Sequence, residues 1–187
     1  MVHLVDEIAR GKHRVCYHDP ADDRYCYKVP QPAAESIRQQ RREVTWMTRL
    51  ARRGYSFSHI AKYDKTAQTN LGTAYRYRLV RDDNGPLSTT VAAAFADPGN
   101  HVALRAGLRD LHDHILRFRL AFYDLTANNL LWQKREHHPD RLVLVDGIGD
   151  PSGLRFLDQI PAVFHKKVRR RYTRACWKIA ALMTPTP

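Results

Sequence analysis

An alternation of apolar and polar positions predicts a β-hairpin near the start of the chain. It runs over residues 14–18 and 24–29, with the turn-forming sequence Asp-Pro-Ala-Asp-Asp between them. Because side chains along a strand point alternately to opposite faces, Cys26 and Lys28 share one face of the second strand. A hairpin centred on Ala21 pairs Cys16 with Cys26, so both thiols are expected on the Lys28 face.

After the hairpin, the apolar positions recur with the period of an α-helix. Residues 33–53 are predicted to form a helix, with Pro32 near its start and Gly54 at its end. One face of this helix carries Ser36, Gln40, Glu43, Met47 and Leu50. Residues 60–67 and 73–80 are then predicted strands, because the turn-like sequence Thr-Asn-Leu-Gly lies between them.

Residues 81–86, Arg-Asp-Asp-Asn-Gly-Pro, interrupt the periodic pattern of apolar positions. This interruption predicts a linker between two lobes, after which the second half of the chain begins. Apolar residues at steps of four and three then predict a buried helix face, formed by Leu104, Leu108, Leu111, Ile115 and Phe118. Short apolar strands are predicted at residues 130–132 and 142–145. The predicted organisation is one domain over residues 1–187, with a β-rich lobe at 1–80 and a second lobe at 81–187.

A last amphipathic helix is predicted from residue 161 to residue 183. Its apolar face consists of Phe164, Val168, Tyr172, Ala175, Ile179 and Leu182. Residues 161–187 contain no acidic residue and seven basic ones, most of which fall off the apolar face: Lys166, Lys167, Arg169, Arg170, Arg171, Arg174 and Lys178. We expect the apolar face to dock on the second lobe, while the basic side faces solvent or an anionic partner.

Composition narrows the class of protein without identifying its function. The 187 residues are 43% hydrophobic and 27% charged, which fits one folded domain. The chain has no apolar run long enough to span a membrane, and Asp6 and Glu7 argue against a secretion signal. Three cysteines without a Cys-x-x-Cys pair favour a reducing compartment, so we expect a cytoplasmic protein whose Cys16 and Cys26 are packing thiols rather than a disulfide.

The formal net charge of +12 favours anionic partners, among them nucleic acid, anionic lipid and phosphorylated metabolites. The basic residues of the tail are explained equally well by a solvated helix face and by a binding patch. The sequence contains no helix-turn-helix, zinc-finger or RRM signature, so we do not expect nucleic acid as a partner.

Residues with the chemistry of phosphoryl transfer lie around the two short strands of the second half. Asp124 precedes Asn129 by five residues, and the apolar strand at 130–132 follows directly. Asp146 ends the next apolar strand and precedes Gly147. Carboxylate and amide oxygens are ligands that Mg²⁺ accepts, and a carboxylate beside the attacking hydroxyl can take its proton. Because a carboxylate is costly inside a core, Asp146 is expected to face a cleft.

These motifs resemble those of protein kinases. The sequence Asp-Leu-Thr-Ala-Asn-Asn-Leu-Leu at 124–131 resembles the kinase catalytic loop, and Asp146-Gly147 resembles the DFG position with glycine in place of phenylalanine. The strand Tyr-Cys-Tyr-Lys that ends at Lys28 resembles VAIK, and Glu43 resembles its partner on the following helix. The sequence Gly-Lys-His-Arg-Val-Cys-Tyr that begins at Gly11 resembles a glycine-rich loop reduced to one glycine.

Over residues 8–150 the chain more closely resembles the YrbL-like family of the PhoP regulatory network, a group of small bacterial kinase-like proteins. The motifs that carry this resemblance are G-x-x-R-x-C-Y, C-Y-K-V, T-N-L-G-T, D-L-x-x-N-N-L and V-D-G-x-G-D. The resemblance implies an α+β, two-lobed protein-kinase-like fold with a trimmed C-terminal lobe. It also implies an ATP- and Mg²⁺-dependent phosphotransferase acting on a hydroxyl of unknown identity, expected to belong to a small molecule.

The resemblance implies a role for each candidate site residue. Lys28, oriented by Glu43, holds the α- and β-phosphates, and Asp124 accepts the proton of the acceptor hydroxyl. Asn129 and Asp146 bind Mg²⁺. The nucleotide pocket is completed by Gly11 of the reduced glycine-rich loop and by Cys16 and Cys26, whose two small side chains leave room for an adenine ring.

The chain also departs from the kinase pattern, and two alternatives therefore stay open. Phe122 and Tyr123 replace the His-Arg pair before the catalytic Asp, and no Ala-Pro-Glu segment follows Asp146. A pseudokinase would keep the fold and act by binding a partner. A basic nucleic-acid-binding protein would use the C-terminal tail.

The remaining polar residues are expected to be structural. His112, His114 and the pair His137-His138 lack zinc-ligand spacing and are expected to be solvated. Asn128 is expected to be a turn residue, and Asp150 a helix cap.

Overall fold

The structure, a computed structural model, describes residues 1–149 and 161–181. It is a mixed α+β fold with antiparallel sheets, and the described residues form four α-helices. Packing divides the chain into two compact units, which we call unit one and unit two. Unit one is Met1–Phe57 with Ala61–Val80, and unit two is Ser58–Ile60 with the chain from Arg81 onward.

Unit one is a five-stranded antiparallel sheet with one helix. The sheet has the order β1-β2-β3-β5-β4. Its strands are β1 (Glu7–Arg10), β2 (Arg14–His18), β3 (Tyr25–Pro30), β4 (Tyr63–Thr69) and β5 (Gly72–Arg78), and helix α1 (Ala34–Arg52) connects β3 to β4. The predicted hairpin and helix are confirmed. Strand β1 was not predicted because its four residues, of which three are exposed, lack the alternation of a half-buried strand.

The hairpin register differs from the prediction by two residues. Cys16 pairs with Lys28, and Cys26 pairs with His18, so the predicted Cys16–Cys26 pairing is wrong. A displacement of two residues preserves the alternation, so Cys16, Cys26 and Lys28 still share a face. All three cysteines are described, and none forms a disulfide.

The cause of the displacement lies in the loop between β2 and β3. The Asp19 Oδ1 accepts a hydrogen bond from the Ala21 N–H at 3.0 Å, and the Asp22 Oδ1 accepts one from the Arg24 N–H at 3.1 Å. The two aspartate turns lie in a loop of seven residues between His18 and its partner Cys26, two more than a turn centred on Ala21 would have, and pairing therefore begins later on β3.

Unit two contains a three-stranded antiparallel sheet of order β6-β7-β8. Its elements are β6 (Thr89–Thr90), α2 (Val91–Ala94), α3 (His101–Phe118), β7 (Leu130–Gln133), β8 (Arg141–Leu144) and α4 (Pro161–Ala181). Helix α3 packs on β8, where a Cβ on Gly107 would lie 3.0 Å from the Leu142 side chain. The structure confirms α3, β7, β8 and α4, whereas β6 and α2 are too short for a periodic signal.

Helix α4 buries the apolar face that its period predicts. Phe164, Val168, Ala175 and Ile179 are buried, and Tyr172 is half-buried with its hydroxyl donating to the Leu108 carbonyl of α3. Leu182 lies outside the described residues. The basic side is exposed at Lys166, Arg169, Arg170, Arg174 and Lys178.

The prediction of a solvated His114 is wrong. His114 is buried, and its ring lies 4.5 Å from that of His59, which belongs to a short 3₁₀ helix at Phe57–His59. His114 precedes Ile115 and follows Leu111 by three positions, so it lies at the edge of the apolar face of α3, where His59 covers it. His137 and His138 are exposed as expected, and Asp150 lies outside the described residues. None of the helices among residues 1–149 and 161–181 combines the length and the hydropathy of a membrane-spanning segment.

Candidate functional site

A buried ion pair lies at the centre of unit one. Lys28 extends from β3, and its Nζ lies 3.4 Å from the Oε1 of Glu43, which extends from the buried face of α1. The side chains are 5% and 0% exposed. The sequence implied this pairing. Taking two charges out of water costs roughly several kcal/mol per ion, which the attraction between them offsets only when further hydrogen bonds are present. The pair therefore depends on the surrounding hydrogen bonds as well as on its own attraction.

Arg14 is a second cation on Glu43, and sequence reasoning missed it. Its Nη1 lies 3.2 Å from the Glu43 Oε2 and donates to the Gln40 Oε1 at 2.9 Å. A signal was available: Arg14 is two residues before Cys16 on β2 and therefore lies on the Lys28 face of the sheet. Gln40 is three residues before Glu43 and shares its helix face.

Tyr77 of β5 is the third donor to Glu43. Its hydroxyl donates to the Glu43 Oε1 at 2.8 Å and accepts from the Gln40 Nε2 at 2.9 Å. Its ring lies 4.0 Å from the Lys28 Nζ, which adds a cation–π contact. Burial, together with the charge of Glu43, raises the pKa of Tyr77 well above its usual value, so the hydroxyl stays protonated and donates. The carboxylate is thus fixed by three side chains, and the Lys28 ammonium is fixed with it.

The other predicted residues of unit one lie near this cluster in the sheet but have simpler environments. Burial raises the pKa of the Cys26 thiol to about 12, so Cys26 is a packing residue and not a nucleophile. Cys16 is half-buried opposite Lys28. Gly11 is exposed in the turn between β1 and β2, where its N–H donates to the Arg14 carbonyl at 2.9 Å. A Cβ at Gly11 would meet that oxygen only at 3.7 Å, so this position tolerates alanine.

In unit two, the loop before β7 joins Asp124 to Asn129. The Asn129 Nδ2 donates to the Asp124 Oδ2 at 2.9 Å and to the Asp124 carbonyl at 3.1 Å. The turn between them is closed by the Asn129 N–H, which donates to the Thr126 carbonyl at 3.1 Å. Since the amide nitrogen faces Asp124, the Asn129 Oδ1 faces the other way and presents an oxygen ligand. Asn128 is exposed in the same turn, as predicted.

Asp146 and Gly147 follow β8 and cross the Asp124 loop closely. The Asp146 Oδ1 accepts from the Gly147 N–H at 2.6 Å, and the Gly147 carbonyl accepts from the Tyr123 N–H at 2.8 Å. Gly147 has φ +77°, and a Cβ there would overlap the Asp124 carbonyl. The glycine after Asp146 is therefore a steric requirement of this loop crossing.

The donor set of unit two fits a hard cation. Asn129 offers an amide oxygen and Asp146 a carboxylate, which are ligands of the type that Mg²⁺ accepts beside water and phosphate oxygens. Among residues 1–149 and 161–181, no three His, Cys, Asp or Glu side chains form a group that could hold a metal ion. A cation at Asn129 and Asp146 would therefore take part of its coordination from substrate or water, as Mg²⁺ does.

The structure thus brings the predicted residues together within each unit. Lys28 and Glu43 form one cluster in unit one, with Gly11, Cys16 and Cys26 on the adjoining strands and turn. Asp124, Asn129 and Asp146 lie on two crossing loops in unit two.

Comparisons with known proteins agree with the motifs. A family profile described as PhoP regulatory network protein YrbL matches residues 3–180. A protein of Escherichia coli (strain K12) named "Uncharacterized protein YrbL" is 29% identical over 159 residues, which cover 81% of this chain and 75% of the relative. A protein of the same name from Shigella flexneri matches with the same identity and coverage.

Proposed function

The chain belongs to the family of PhoP regulatory network protein YrbL, and within that family we propose that it is an ATP- and magnesium-dependent phosphotransferase. The proposed reaction transfers the γ-phosphoryl group of ATP to a hydroxyl group, in the first instance that of a small molecule. The proposed architecture is a two-lobed, protein-kinase-like fold with a trimmed C-terminal lobe.

The observation that carries the proposal is the buried Lys28–Glu43 pair. A buried ion pair adds little to stability compared with apolar residues of similar size, so its presence is better explained by a task for the ammonium group. Lys28 lies on the third strand and Glu43 on the helix that follows it. Protein kinases hold their phosphate-binding lysine on the same strand and its glutamate on the same helix.

The residues of unit two support the same reaction. Asp124 is exposed, and its carboxylate is oriented by Asn129, so it can take the proton of an acceptor hydroxyl. Asn129 and Asp146 would hold Mg²⁺, whose chemistry is to neutralise charge on the phosphate oxygens.

In the proposed step the acceptor oxygen forms a bond to the γ-phosphorus while the bond from that phosphorus to the β–γ bridging oxygen breaks. The acceptor proton passes to Asp124, and ADP leaves with the electron pair of the broken bond. Lys28 contacts the α- and β-phosphates and so reduces the repulsion that the leaving ADP would otherwise experience.

The test is ADP formation from ATP, with and without Mg²⁺, against a panel of hydroxyl-bearing metabolites. We expect turnover in Mg²⁺ with at least one acceptor, and its loss on Asp146→Asn. Asp124→Asn should lower turnover by about 10²–10⁴-fold, as loss of a general base does, while ATP binding persists. The control is Asp113→Asn, because the Asp113 side chain is 80% exposed on α3 and should not affect turnover.

Two outcomes would contradict the proposal. ATP binding without turnover on any acceptor would favour the pseudokinase alternative. Equal turnover in the wild type and in both aspartate variants would remove Asp124 and Asp146 from the reaction.

A further inference from the structure

We propose that Arg171 of α4 is a positioning residue for the loop that carries Asp124. The inference concerns a part of the chain outside the kinase-like motifs, and its catalytic consequence rests on the proposed function. Its structural basis is one long-range contact: the Arg171 Nη1 donates to the Phe122 carbonyl at 2.7 Å, across 49 residues of sequence.

The Phe122 carbonyl occupies a particular place in the loop crossing. Phe122 and Ile148 form an antiparallel bridge. On one side of it the Gly149 N–H donates to the Ala121 carbonyl at 2.8 Å, and on the other the Tyr123 N–H donates to the Gly147 carbonyl at 2.8 Å. In such a pair the residue between the two bonds turns its own N–H and carbonyl away from the partner segment.

The Phe122 carbonyl therefore cannot be satisfied by the segment 147–149 and needs a donor from elsewhere. Phe122 is only 2% exposed, and a buried carbonyl without a donor is costly. Arg171 supplies a charged donor, which forms a stronger bond than a neutral one. The segment that ends at Asp124 is thus held from both sides, by residues 147–149 and by α4.

Helix α4 is itself anchored, so Arg171 extends from a fixed base. Phe164 and Val168 are buried before Arg171, and Ala175 and Ile179 are buried after it. The next residue, Tyr172, donates to the Leu108 carbonyl of α3. The neighbouring Arg170 is exposed. Position on the helix, not positive charge in general, distinguishes Arg171 from the other basic residues of the tail.

The functional consequence follows from the two residues that precede the proposed base. Phe122 and Tyr123 stand where a kinase has His-Arg, so the segment before Asp124 carries no cationic side chain of its own. Arg171 brings a guanidinium to the main chain of that segment from the C-terminal helix. Loss of Arg171 should loosen the placement of Asp124 while leaving the Lys28–Glu43 cluster intact.

The experiment compares four full-length proteins: wild type, Arg171→Ala, Arg171→Lys and the matched neighbour variant Arg170→Ala. The first readout is amide hydrogen exchange, resolved to the segments 121–124 and 147–149, and it needs no enzymatic activity. We expect exchange there to accelerate about tenfold in Arg171→Ala, since a hydrogen bond to a charged group is lost. Exchange should remain unchanged in Arg170→Ala and be partly restored in Arg171→Lys.

The second readout separates positioning from binding. With an acceptor that the wild type uses, Arg171→Ala should lower kcat by roughly 10–100-fold, because a small displacement of a reacting group costs about that much. The KM for ATP should change by less than about threefold, because the proposed phosphate contacts lie elsewhere.

Three results overturn the inference. One is equal exchange in Arg171→Ala and Arg170→Ala, and another is acceleration spread evenly through unit two, which would make Arg171 a general stabiliser of the helix. The third is local acceleration without any fall in kcat in an active enzyme. If Arg171→Ala does not fold, Arg171→Lys against Arg170→Lys decides by the same local criterion. A wild type without turnover would contradict the proposed function, whereas the exchange comparison would still test the position of Arg171.

Discussion

Glu43 shows how much of a site depends on single residues from distant parts of the chain. The resemblance to the kinase motifs implies its ion pair with Lys28, and the structure contains that pair. Arg14 and Tyr77, which donate to the same carboxylate, come from β2 and β5. The alternation of β2 places Arg14 on the Lys28 face, but no local pattern connects Tyr77 to Glu43. A sequence motif can therefore identify the charged pair but not the residues that fix its geometry.

At the scale of single residues, we predict that the loop crossing at Asp124 requires glycine at position 147. Gly147→Ala should destabilise the protein by more than the roughly 1–2 kcal/mol that a positive φ costs a residue with a Cβ, because the added Cβ also overlaps the Asp124 carbonyl. The same change should displace Asp124 and reduce any turnover. Denaturant unfolding measures the first effect and ADP formation the second.

The matched control for this prediction is Gly85→Ala. Gly85 also has a positive φ, +108°, but a Cβ there meets nothing within 4 Å. Equal losses of unfolding free energy in the two variants would show that the crossing of the Asp124 and Asp146 loops does not require glycine.

Elements with a strong period were predictable, whereas pairing and short elements were not. The periods predicted α1, α3 and α4, whose buried faces match the sequence pattern. The register of β2 with β3 depends on two aspartate turns, and neither turn changes the alternation from which a register is inferred. The burial of His114 depends on His59, which lies 55 residues earlier and belongs to another element.

Helix α4 provides a prediction at the scale of elements. Phe164→Ser should lower the unfolding free energy by roughly 3–5 kcal/mol, because it removes a buried aromatic ring and introduces a hydroxyl. Changing Arg169, Arg170 and Arg174 together to Ser should leave stability nearly unchanged, since all three are exposed on the same helix. Denaturant unfolding of the two variants beside the wild type makes the comparison.

The triple arginine variant also tests the nucleic-acid alternative. We expect DNA and RNA titrations across salt concentrations to show no tight binding by the wild type. Tight binding with a steep salt dependence, lost in the triple variant, would instead make the tail a reader of the phosphate backbone.

At the scale of the whole molecule, stability should depend on pH through His59. Burial lowers the pKa of His59 from its usual value, although the Leu142 carbonyl and Asp110 act in the opposite direction. The unfolded chain therefore takes up a proton at higher pH than the folded protein does. The stability contributed by neutral His59 is fully present above the unfolded pKa, about 6.5, and is lost as pH falls toward the folded pKa.

Unfolding free energies measured from pH 8 to pH 5 should thus decrease toward acid, and His59→Gln should flatten that decrease. His138→Gln is the control, because His138 is exposed in a loop of the same unit. A slope that is the same in the wild type and in His59→Gln would assign the acid sensitivity to other groups.

The most direct test of the central claim is calorimetric titration of ATP into the wild type and Lys28→Met, each in Mg²⁺ and in EDTA. We predict that the wild type binds ATP in Mg²⁺. Removing either the cation or the lysine should weaken binding by about tenfold or more, a loss of about 1.4 kcal/mol or greater. Lys65→Met, at an exposed position of β4, should bind like the wild type. Absence of ATP binding by the wild type would contradict the account, and so would an affinity in Lys28→Met or in EDTA equal to that of the wild type in Mg²⁺.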